Sequence, residues 1–204
     1  MLSSISPLGE RARNRRWFST TVAYVVGSLI GGMALGGLSA LVGSFVPEAV
    51  RGSRAALVVL AVAFLVGVLV DTHNPEKVPS WHRQVDEVWL TTYRGWVYGL
   101  GFGVQLGFGL VTIVTSTTTY ATIALAALSG NLPAGLLVGA VFGLVRALPS
   151  VLMRRVDTRF ALDAVFRGVE RWAPRAHVIA RVALVAGAVV LMTVALSSTY
   201  GGVS

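Results

Sequence analysis

Residues 95–145 read GWVYGLGFGVQLGFGLVTIVTSTTTYATIALAALSGNLPAGLLVGAVFGLV, fifty-one positions without one Asp, Glu, Lys or Arg. Water is not the solvent for most of this stretch. A helix needs about 20 apolar residues to cross a hydrocarbon core of about 30 Å, so there is room for two crossings. Ser129-Gly130-Asn131-Leu132-Pro133 supplies the turn between them. The first crossing is over-long. Trp96 to Leu128 is thirty-three residues, or roughly 50 Å at 1.5 Å per residue. The excess predicts a break near the six consecutive hydroxyl side chains Thr115-Ser116-Thr117-Thr118-Thr119-Tyr120.

The rest of the chain has the same character. Of its 204 residues 54% are hydrophobic and 13% charged, where soluble domains carry about 25% charge. This predicts an all-α polytopic transmembrane helical bundle forming one domain, 1–204. The predicted spans are 17–47, 55–71, 96–129, 133–151 and 179–198. Residues 80–94 and 157–173 are expected to be amphipathic helices lying in the interface. In the first, Trp81, Val85, Val88 and Trp89 share a face. In the second, Leu162, Val165, Phe166, Val169 and Trp172 do so, Asp163 and Arg167 form an i,i+4 pair, and Pro174 is expected to end the helix.

Charge placement sets the expected orientation. With the N-terminus in the cytoplasm and five spans, the inner segments 1–16, 71–95 and 153–181 hold 14 of the 17 Lys and Arg. That satisfies the positive-inside rule for a protein of the cytoplasmic (inner) membrane with its C-terminus outside. The net charge of +8 then points to anionic lipid headgroups and away from nucleic acid.

Glycines stand out. Gly27, Gly31 and Gly37 match Gly99, Gly103 and Gly109 at a constant offset of 72, an internal repeat of parallel order. Small-xxx-small spacings permit close helix packing within the chain, in a homo-oligomer, or against partner membrane subunits.

Candidate functional residues are the polar groups in the spans, because burying them in hydrocarbon is costly. Gln105, Thr115, Ser116, Thr117, Thr118, Thr119, Tyr120 and Arg146 form the expected substrate-binding set. Each has a structural alternative. Arg146 can snorkel to the surface, Gln105 can bridge helices, and the hydroxyls can bond back to the i−4 carbonyl. The three histidines have no metal-ligand spacing, so no metal or cofactor is expected. No catalytic motif is present, and the absence of cysteine rules out thiol redox chemistry and disulfides.

Gly101-Phe102-Gly103, the polar break, and Gly130 to Pro149 ending in GLVRALP resemble the membrane halves of thiol-reductant carriers of cytochrome c biogenesis. They also resemble the related LysE-type small-solute exporters. Those carriers place a Pro-Cys pair in the broken helix, where this chain has Thr115-Ser116-Thr117. No thiol relay carries over. The superfamily's inverted repeat also conflicts with the parallel order read here. The resemblance implies a small-solute transporter with the break as its site, and the expectation is a transporter or channel-like protein in which the fixed charge of Arg146 suits an anionic solute. The competing expectation is a non-transporting accessory or assembly subunit of a larger membrane complex.

Overall fold

The computed structural model describes residues 16–73, 93–109, 117–156 and 158–197, together with Pro7. Among these the regular structure is helical: α1 (Trp17–Ser44), α2 (Glu48–Arg51), α3 (Arg54–His73), α4 (Gly95–Phe108), α5 (Thr118–Ser129), α6 (Leu132–Leu152) and α7 (Arg159–Ser197). A 3-10 turn, Met153–Arg155, follows α6. Four helices, Trp17–Ser44, Arg54–His73, Leu132–Leu152 and Phe160–Ser197, are long and apolar enough to cross a membrane. The protein is a multi-pass membrane protein.

Helix α1 is the axis of the bundle, and glycine makes it so. Along one face Gly27 and Gly31 meet the backbone of Leu100, Val104 and Phe108 in α4. Gly99, Gly103 and Gly107 of α4 return the contact at Thr20, Tyr24 and Ser28. Along the opposite face Gly32 and Gly36 meet Gly135, Gly139 and Gly143 of α6. In both seams the helices touch backbone to backbone, which side chains larger than hydrogen prevent. Ser28 sits where the seams meet, fully buried, and donates its Oγ–H to the Gly143 carbonyl at 2.7 Å. The glycine faces of α1 are therefore filled by the chain's own helices.

The expected repeat gains no simple support from these positions. Gly37 lies inside α1 against Leu136, whereas Gly109 is the left-handed cap that ends α4, at φ 72°.

Helices α3 and α7 form a second unit, in which Leu57, Ala61 and Phe64 interlock with Leu184, Ala188, Leu191 and Ala195. The turn between α5 and α6 is built as its residues dictate. Gly130 takes a left-handed φ of 52°, and Asn131 caps α6 by accepting the Ala134 N–H at 3.1 Å. Arg51 crosses from α2 to donate to the last carbonyls of α5, at Leu128 O, 3.1 Å away.

Two expectations are corrected. The amphipathic helix expected over 157–173 does not end at Pro174: from Arg159 onward it is part of one 39-residue helix that passes through the proline. Proline removes one intrahelical hydrogen bond, to the carbonyl four residues back. Here Pro174 and Glu170 are both exposed, so the freed carbonyl is not trapped in a packed core. The expected Asp163–Arg167 ion pair is also not formed among the described residues. The other expected interfacial helix, 80–94, falls almost wholly outside the described residues.

Candidate functional site at the helix break

The over-long crossing is broken. α4 stops at Phe108 and α5 starts at Thr118. Both pack along α1, α4 through Gly27 and Gly31, and α5 through Ala127 against Gly43. The two half-helices thus follow each other along one neighbour. Gly109 ends the first half because an L side chain is strained at its φ.

Breaking a helix exposes the first N–H groups of the second half, and hydrocarbon offers them nothing. Asp71, at the end of α3, meets this demand. Its carboxylate accepts the Thr117 N–H at 3.0 and 3.2 Å and the Thr117 hydroxyl at 3.0 Å. The negative carboxylate also lies at the positive end of the α5 dipole, which favours it there. Asp71 is 5% exposed. Its backbone carbonyl accepts Arg181 Nη2 of α7 at 3.1 Å. A single acidic residue therefore ties α3, α5 and α7 together at the break.

The candidate residues separate into different surroundings. Thr117 is held by Asp71, and Thr119 is buried beside Gly109. The Thr118 carbonyl accepts the Thr122 hydroxyl at 2.9 Å, the back-bonding that hydroxyl residues favour in helices. Thr117 and Tyr120 also line an open crevice of about 420 Å³ with Gly67, Val70, Phe64 and Leu184. Its lining is otherwise apolar. A second crevice of about 430 Å³, sharing Leu60, Ala63 and Ala124, continues it toward Arg51. Thr115 and Ser116 lie outside the described residues.

Arg146 belongs to another place. Its guanidinium lies 5.4 Å from the centroid of the Phe142 ring and faces Tyr24 of α1. Phe142 in turn covers Gly109. Gln105 is half-buried on α4, one turn before its end. Among the described residues, the Phe142 ring links Arg146 to the end of α4 at Gly109.

Sequence reasoning missed Asp71 and Arg181. The signal was available: Asp71 is the first charge after the sixteen uncharged residues Ala55–Val70, at the end of the predicted span 55–71.

The comparisons decide what kind of protein carries this break. Residues 2–196 match the family described as the cytochrome C biogenesis protein transmembrane region. The chain belongs to this family. It is also similar to methylamine utilization protein MauF of Methylophilus methylotrophus, at 32% identity over 72% of this chain and 53% of that protein. MauF of Paracoccus denitrificans is 31% identical over 72% of this chain and 54% of that protein. The chain spans about half the length of these curated relatives. No solved structure matches.

These matches bear out the resemblance to the biogenesis carriers and overturn the expectation of a small-solute transporter. The family's description names cytochrome C biogenesis and the relatives' names methylamine utilization, and neither names solute transport. The packing agrees, since α1, α4 and α6 are joined by backbone contact. Of the polar residues in the spans, Thr117 is bonded to Asp71 at the start of a half-helix and Arg146 sits beside the Phe142 ring.

Proposed function

We propose that this protein is a non-transporting accessory subunit that helps to mature or assemble a partner protein at the membrane, performing no catalysis itself. What carries the reading is the match over residues 2–196 to a biogenesis family in a chain that has no cysteine. A relay of thiols needs thiolates, so what this member retains of the family is its scaffold. The similarity to methylamine utilization proteins suggests that the partner serves amine oxidation. Deleting the gene in its native host is expected to abolish growth on methylamine and leave the partner enzyme immature, with uptake of labelled methylamine unchanged. Uptake that falls together with growth would overturn the proposal.

We place the protein in the cytoplasmic membrane, with its N-terminus inside and its C-terminus outside. Support comes from the basic residues of 1–16, 71–95 and 153–181. It also comes from counting α4 and α5 together as one of five crossings. A reporter active only in the cytoplasm, fused to the C-terminus, is expected to stay silent. A strong signal would mean an even number of crossings.

A further inference from the structure

From Phe160 to Ala180 no described side chain of α7 is buried, although the same helix is firmly packed from Leu184 onward. This exposed part is not uniform. Arg167, Arg171 and Arg175 recur at i, i+4 and i+8, which places them in one stripe about 12 Å long. All three are exposed, and among the described residues none is paired with a carboxylate. Beside the stripe Trp172 is 61% exposed, with the Arg175 guanidinium 4.8 Å from its ring centroid.

We propose that the Arg167–Arg171–Arg175 stripe, with Trp172, binds anionic lipid headgroups of the leaflet where α7 leaves the bundle. The occupant follows from continuity and charge. The stripe is on the same helix as a membrane span, and Arg175 lies about 9 Å along the axis from Arg181, which is fixed to α3. A headgroup layer is about 5–7 Å deep on each side, and an anionic surface acts about 10 Å further into solution. An exposed indole stacked under a guanidinium suits the same boundary, with an apolar body and a polar rim. An acidic protein surface would satisfy the charges, but it would not need the stripe to adjoin a span.

The absence of cysteine makes the test direct, because Ala176→Cys gives a single labelling position in the full chain. A spin label there is compared in vesicles of phosphatidylcholine alone and with about 30% phosphatidylglycerol, conditions that switch the surface charge on. Accessibility to an aqueous nickel chelate is expected to fall by at least about fivefold with the anionic lipid, the factor by which even one arginine near such a surface favours it. The fall should disappear in about 1 M salt, where screening acts within about 3 Å. R167Q/R171Q/R175Q should also abolish it, and R167E/R171E/R175E should reverse it. These positions are exposed, and a buried Thr119→Cys that remains unreactive in each variant verifies the fold. Equal accessibility in the two vesicles would overturn the proposal. So would protection seen only in native membranes, which would assign the stripe to a protein partner.

Discussion

Replacing Gly139 with valine is expected to destroy the folded bundle rather than weaken it. A Cβ at this position would meet the Gly32 carbonyl oxygen and the backbone nitrogen of Gly36 within contact distance. Neither is the end of a flexible side chain, so no rotamer change relieves the clash. Helix α6 would have to move away from α1 as a body, opening the Gly135/Gly139/Gly143 seam and pulling Gly143 from Ser28. Overpacking a core costs about 1–3 kcal/mol where side chains can adjust. Backbone against backbone belongs above that range, at about 4 kcal/mol or more. Recovery of monodisperse protein from a mild detergent, followed by unfolding in SDS, measures it. The comparison is Gly168→Ala in the exposed part of α7, where nothing lies within 4 Å of an added Cβ. That change should stabilise the helix by about 0.5–1 kcal/mol. If Gly139→Val purified and unfolded like the native chain, the backbone seam would not be what holds α1 to α6.

The contrast between these glycines shows what the sequence can convey. Small residues at four-residue spacing announced close packing, and the cost of placing polar backbone in hydrocarbon announced helices. Neither says which helix lies opposite. Gly31 and Gly32 are adjacent in sequence yet serve different seams, one against α4 and one against α6. The break was legible for a similar reason, because thirty-three uncharged residues exceed a bilayer and hydroxyls can satisfy freed backbone groups. Its location was less so. Gly109 ends the first half six residues before Thr115, since a left-handed cap depends on one glycine and that segment is rich in them.

The long helix misled for the opposite reason. Pro174 is a strong local stop signal, and local signals lose when the segments on both sides are helical and the position is exposed. The site residues were the least legible. Gln105, Thr117 and Arg146 were chosen one by one for their cost in hydrocarbon, but Thr117 is answered by Asp71, forty-six positions earlier. A long-range partner of that kind leaves no spacing to read.

Asp71→Ala provides the second large effect, and it falls on the break alone. The carboxylate holds both the N–H and the hydroxyl of Thr117. Removing it leaves the start of α5 without an acceptor in a setting where water does not substitute. Losing a charge-assisted bond to a buried donor costs about 1.5–3 kcal/mol, and an N-cap acceptor is worth about 1 kcal/mol on its own. An effect of about 2–3 kcal/mol is therefore expected, a rise of roughly 30- to 150-fold in opening of the half-helix. Thr119→Cys reads it out. Thr119 is 1% exposed, and cysteine is close to it in size. Its alkylation by a membrane-permeant reagent should be slow in the otherwise native chain and faster by about that factor in the Asp71→Ala background. Asp71→Asn keeps an acceptor oxygen without the charge and should fall between the two. The seam of α1 with α6 is remote from Asp71, so recovery in detergent should be retained, unlike that of Gly139→Val. Unchanged labelling in Asp71→Ala would show that α5 is held in place by its packing alone, with the carboxylate a bystander at its N-terminus.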